Sequence, residues 1–275
     1  MKLSLLSAAF AFAVAPGHAR AQGAPSAAPL RLGLASDMTG PYATLGGKGA
    51  LLGAQMAAED FGGTVLGRKI EVLQNDTQNK PDVGVNFVRE WFERQGVRAV
   101  MDGSASSVGL AIATTARQTG RMFLSSGSFT SELVGASCSP STIQFIPNTR
   151  GLAVAGLQRA IAEGVDSWYF LTPDYAFGHA LQRDATAFIQ AAGGKVLGAA
   201  LHPLAQADLS AYLVRALQRR QGSRRRQRRR RPGERGQADT RVRLGRRADA
   251  RLWLAGQLLR PGSTRRRGAY GMQGS

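Results

Sequence analysis

The chain has 275 residues, room for one large domain or two smaller ones, and a formal net charge of +18. That charge first suggests a nucleic-acid partner, but its distribution excludes one for most of the chain. Residues 1–214 carry 16 Lys+Arg and 15 Asp+Glu, a net of +1, whereas residues 215–275 carry 20 Arg, no Lys and 3 acids, a net of +17.

The first 21 residues read as a signal peptide. Lys2 supplies the positive end, residues 3–14 form an apolar run broken only by Ser4 and Ser7, and Ala19-Arg20-Ala21 has the small-x-small form of a cleavage site. The run is shorter than the roughly 20 residues that span a bilayer. Export follows, and with it an oxidising setting. Cys138 is the sole cysteine, so no intrachain disulfide is possible. It lies in a Ser/Pro loop, residues 137–141, and reads as a structural thiol or one whose partner is missing.

After a small, Pro-containing leader (residues 22–29), strands and helices alternate. A strand is expected over 30–35 and a helix over 46–61, with Leu51, Leu52, Met56 and Phe61 at near-helical spacing and Gly62-Gly63 as its stop. A strand at 69–74 precedes a helix from Pro81 to about Gln95, whose apolar side holds Val83, Val85, Phe87, Val88, Trp91 and Phe92. Further strands are expected at 99–101, 122–124, 144–146, 167–171 and 195–200, with helices at 108–119, 150–163 and 177–192. The alternation predicts an α/β fold of right-handed crossover units around a parallel sheet. Ligands bind such sheets outside the carboxyl ends of the strands.

Four loops at such ends are rich in small hydroxyl residues: 36–42 (SDMTGPY), 102–107 (DGSASS), 125–130 (SSGSFT) and 172–178 (TPDYAFG). Each alone fits ordinary helix capping. Converging on one sheet edge, they suggest a site where Ser hydroxyls and backbone N–H groups hold a carboxylate. Signatures of catalysis are missing. Gly47-x-Gly49-x-x-x-Gly53 lies too far from its strand for a dinucleotide fingerprint, and neither a Walker A loop nor a GxSxG elbow occurs. His179 and His202 lack metal-ligand spacing. No catalytic residue, metal or cofactor is expected.

At these loops the chain resembles the periplasmic solute-binding proteins of the branched-chain amino-acid type, which feed ABC importers. The likeness spans about residues 30–214 and rests on LRLGLASDMTGPYATLGGKGALLGAQMA, MDGSASSVGLAIA, FLSSGSFTSEL and YFLTPDYAFGHALQRD. It implies a type I periplasmic binding fold, with a first Rossmann-like lobe over 22–148 and the start of a similar second lobe over 149–214. It also implies a small-molecule ligand closed between the lobes and an ABC permease as membrane partner. By resemblance, Ser106 offers its hydroxyl to the ligand carboxylate, and Gly127 and Ser128 their backbone groups. Phe177, with Tyr175 nearby, covers the ligand from the second lobe, and Tyr42 lines the mouth. Phe129 stands where amino-acid binders have Thr. With Tyr175 and Phe177 it suits an aromatic or larger apolar acid, or an amide, better than a branched-chain amino acid. A ligand-sensing receptor domain shares this fold and is the alternative.

Residues 215–275 break the pattern with Arg224-Arg225-Arg226 and the run from Arg228 to Arg231. One reading is a disordered, nucleic-acid-binding tail, although no aromatic is interleaved before Trp253. The favoured reading is a frameshift: CGN arginine codons moved by one base encode Val, Ala, Gly or Asp, and residues 236–244 then permit GKQTxEFGL, like a family helix end. On that reading most of the second lobe is lost, Trp168, Tyr169 and Phe170 are left exposed, and the chain is not expected to function as written.

Overall fold

A computed structural model describes residues 28–204, 206, 208–214, 251–254 and 257–259, the last two stretches by their backbone alone. The signal peptide and the Arg runs lie outside the described residues. The first lobe is a six-stranded sheet in the order β2-β3-β1-β4-β5-β6. Its strands are β1 (Leu30–Ser36), β2 (Thr64–Val65), β3 (Arg68–Asp76), β4 (Val97–Asp102), β5 (Met122–Ser125) and β6 (Thr142–Gln144), with α1 (Gly47–Asp60), α2 (Pro81–Glu93) and α3 (Ser106–Thr119) between them. All pairings in this sheet are parallel except the β2–β3 hairpin.

The chain runs from β1 to β3 on one side and then crosses to β4 on the other. This reversal of winding opens a crevice at the carboxyl ends of β1 and β4. The core forms where α2 and α3 cover the sheet: Phe87, Val88, Trp91, Val100, Val108, Ile112 and Phe123 are all buried. Gly33 is required within β1, because a Cβ there would stand 2.6 Å from the Trp91 ring. The ring fills that space, as the apolar spacing of α2 predicts.

The second sheet has the order β10-β9-β7-β8. Around it lie α4 (Thr149–Ala162), β7 (Ser167–Pro173), α5 (Ala176–Ala191) and β8 (Lys195–His202). Trp168 and Phe170 pack among Leu157, Leu181 and Ile189, and Tyr169 packs against Leu197, Tyr212 and Leu213. All three aromatics are therefore buried, which corrects the expectation that they are exposed: α4 and α5 on one face and the 209–214 segment on the other already cover β7.

Other expectations shift too. β6 ends at Gln144, two residues before the expected 146, because its parallel register with β5 runs only from Phe123↔Thr142 to Ser125↔Gln144. The β2 strand, two residues long, is too short to show periodicity. The tail is not wholly without structure. β9 (Arg251–Leu254) pairs parallel with β7, and β10 (Gln257–Leu259) antiparallel with β9, so the tail's apolar RLWL and QLL stretches use the free edge of β7.

Candidate functional site

The two lobes meet around a cavity of about 200 Å³ lined by Tyr42, Leu45, Ser104, Ala105, Ser106, Gly127, Phe129, Leu152, Tyr175 and Phe177. The hydroxyl-rich loops do not share one sheet edge, as the sequence suggested. Those after β1, β4 and β5 belong to the first sheet, and the one after β7 comes from the second and faces them. The crossing between lobes is polar. Asp184 of α5, 8% exposed, accepts hydrogen bonds from Ser131 (2.7 Å) and Thr149 (2.6 Å), while Arg183 donates to Glu132 (2.7 Å).

Six of the seven sequence-predicted residues line the cavity: Tyr42, Ser106, Gly127, Phe129, Tyr175 and Phe177. Ser106 is the first residue of α3. The preceding Ala105 supplies no side-chain cap, so the first N–H groups of the helix keep their positive end open. Ser106 is 2% exposed, and no group among the described residues hydrogen-bonds its hydroxyl. An uncapped helix start and an unspent hydroxyl thus face one cavity.

Ser128 differs. It does not line the cavity, and its hydroxyl donates to the carbonyl of Gly103, with that of Ala105 at 3.1 Å. It pins the β5 loop to the β4 loop. The aromatic wall comes from both lobes. Phe129 meets Phe177 edge-on, ring centroids 6.3 Å apart at 74°. Tyr175 stacks beside Phe177 at 6.0 Å, and the Tyr42 and Tyr175 hydroxyls are hydrogen-bonded to each other. Burial pushes both phenols above their ordinary range, so both stay protonated. Tyr42 is held by its loop: Asp37 accepts from the N–H groups of Gly40 (2.7 Å) and Tyr42 (2.9 Å), and Asp76 accepts from Met38 N–H (2.9 Å) and Thr39 Oγ1 (2.6 Å).

Beneath the cavity lies a network the sequence reading did not single out. Asp102, 2% exposed and left-handed at φ 79°, accepts from Ser104 Oγ (2.6 Å). Ser104 Oγ accepts from Asp37 N–H (2.8 Å) and contacts Ser36 Oγ (2.9 Å), which accepts from Gly47 N–H (2.9 Å). Gly127 N–H donates to the Asp102 carbonyl at 3.1 Å. The signal was present as Asp-Gly at a strand end, where only a left-handed turn lets the chain reverse so tightly. Leu45, Ala105 and Leu152 complete the lining and carry no pattern that marks them. Cys138 is exposed and does not belong to this lining. Among the described residues no His/Cys/Asp/Glu group could hold a metal, and no helix is long and apolar enough to cross a membrane.

A family model described as periplasmic binding protein matches residues 29–220. Among solved structures, a periplasmic binding protein from Burkholderia mallei is 36% identical, with a TM-score of 0.69 over 70% of this chain and 52% of its own. A branched-chain amino acid ABC transporter periplasmic ligand-binding protein from Burkholderia xenovorans is 30% identical, with a TM-score of 0.59 over 69% and 51%. A solute-binding protein of an ABC transporter from Rhodopseudomonas palustris, in complex with 3,4-dihydroxybenzoic acid, is 25% identical, with a TM-score of 0.61 over 68% and 51%. The chain spans about half the length of these structures. No curated protein matches it.

Proposed function

Since the chain belongs to the periplasmic binding protein family, we propose that it is a solute-binding component of an ABC importer, exported to the periplasm, which captures a small carboxylate between two lobes and hands it to a membrane permease. Its work is binding and lobe closure, not chemistry. Residues 22–148 form the first lobe and 149–214 the start of the second.

One observation carries this reading: the unspent hydroxyl of Ser106, a buried residue at the uncapped start of α3, opening on a cavity walled by Phe129 and Phe177. A carboxylate placed there gains a charge-assisted hydrogen bond and the favourable end of the helix dipole. A ring packed against Phe129 and Phe177 gains edge contacts of about 0.5–1.5 kcal/mol beyond its burial. Phe129 offers the carboxylate no hydroxyl, so we assign the ligand as an aromatic monocarboxylate before a branched-chain amino acid. Among the described residues, only Leu152, Tyr175 and Phe177 reach the cavity from beyond residue 148. The chain as it stands is therefore proposed to hold its ligand weakly, with incomplete closure.

Calorimetric titration of the mature chain with 4-hydroxybenzoate and with leucine tests the reading. It predicts saturable binding of the aromatic acid and a weaker response to leucine. Leucine binding tighter than the aromatic acid would overturn the ligand class, and no saturable binding of either would overturn the binding role.

A further inference from the structure

The acceptors under the cavity decide where the hydroxyl hydrogens between them point. The Asp102 carboxylate can only accept, so the single hydrogen of Ser104 goes to it, and Ser36, which accepts from Gly47 N–H, is then the donor toward Ser104 Oγ. Ser104 Oγ also accepts from Asp37 N–H, so both its lone pairs are used. Ser104 also lines the cavity beside Ser106. Its hydrogen is thus a polar hydrogen at the cavity floor for which Asp102 and a ligand carboxylate would compete.

We propose that Ser104 is a proton-linked ligand contact: its hydrogen serves Asp102 in this structure and the ligand carboxylate once Asp102 takes a proton from solvent, so that the protein takes up a carboxylate and a proton together. The proposal rests on the carboxylate-site reading above. The exchange leaves every group satisfied. Protonated Asp102 donates to the second lone pair of Ser36 Oγ, Ser36 still donates to Ser104, and Ser104 turns its O–H to the ligand oxygen. Covalent bonds other than the O–H bonds are untouched, and the only species gained is one proton.

The surroundings favour that uptake. Burial raises the Asp102 carboxyl above its ordinary value, the hydrogen bond from Ser104 and the neighbouring Ser36 hydroxyl oppose the rise, and nearby Asp37 adds to it. Asp37, at the end of β1, is the charged group acting on it. The β5 loop presents Gly127 to it, and the entry to α1 presents Gly46, neither charged. A bound carboxylate would bring a further negative charge to this cluster and strengthen proton uptake.

The test is calorimetry of the mature chain with benzoate between about pH 5.5 and 8, where benzoate is ionised, at each pH in two buffers that titrate there and whose ionisation heats differ. The expected result is a buffer-dependent heat that reports net proton uptake, with affinity falling by up to about tenfold per pH unit as pH rises through the linked window. Asp102→Asn is expected to flatten that slope. Should this variant not fold, Ser104→Ala is the second: the Asp102 proton no longer trades against a ligand contact, and uptake falls. His179→Gln, a control beside the β7 loop, is expected to leave the uptake unchanged. Benzoate binding with no proton uptake and a constant affinity overturns the proton link and leaves the carboxylate site standing. Full uptake retained in Ser104→Ala also overturns it. Benzoate that fails to bind at any pH overturns both.

Discussion

Ser106 and Ser128 look alike in sequence, each a serine in a loop before a helix, but they do opposite work. Ser106 keeps its hydroxyl for the cavity, while Ser128 spends its own on the carbonyls of Gly103 and Ala105. Ser106→Ala is predicted to weaken carboxylate binding by about 1.5–3 kcal/mol, the worth of a hydrogen bond to a charged group, and to leave the melting temperature nearly unchanged. Ser128→Ala is predicted to lower stability by about 1 kcal/mol through two carbonyls left short of a donor. Calorimetry and thermal unfolding, run on both variants, separate the two roles. Gly127 is bound by geometry: a Cβ there would strike the Asp102 carboxylate and come within 2.7 Å of Ser104 Cα. Gly127→Ala is predicted to cost about 1–3 kcal/mol of stability, read by denaturant unfolding, and to disturb the cavity floor. Loop composition made these serines and this glycine visible in the sequence. It could not say which hydroxyl was spent, because that depends on carbonyls brought together only by folding.

At the scale of elements, alternating periodicity was enough to place strands, helices and the carboxyl-end loops, because apolar spacing in α2 and hydrophobic runs in β4 and β5 reflect burial directly. It misplaced the start of α3 by two residues. Ser106-Ser107 reads as a cap, yet Ala105 takes the cap position and Ser106 is already helical, which is what frees its hydroxyl. It also missed the crossing between lobes, since Ser131, Thr149 and Asp184 are far apart in the chain. Asp184→Ala leaves two buried hydroxyls without their acceptor and Arg183 without one of its two acids. It is predicted to destabilise the protein by about 2–3 kcal/mol, read as a lower denaturant midpoint with no shift in which residues respond to ligand.

At the scale of the whole molecule, two sheets share one cavity, and the second contributes the smaller part of its wall. The expected exposure of the β7 aromatics does not occur, and the exposed apolar residues lie elsewhere. Trp168, Tyr169 and Phe170 are covered, whereas Ile143 and Phe145, on and beside the edge strand β6, are 46% and 66% exposed. Apolar residues on an open edge favour self-association. Replacing both with Ser is predicted to raise the concentration at which the chain stays monomeric in light scattering without changing its melting temperature by more than a few degrees. The sequence could not locate this patch, because which strand lies at an edge is a property of the sheet order. The central claim is that the cleft at the start of α3 receives the carboxylate. Backbone amide NMR of the mature chain during titration with 4-hydroxybenzoate tests it most directly. The account predicts the largest shifts at Ser104, Ser106, Ser107 and Gly127 to Phe129; shifts confined to residues outside the cavity, or none at saturating ligand, would contradict it.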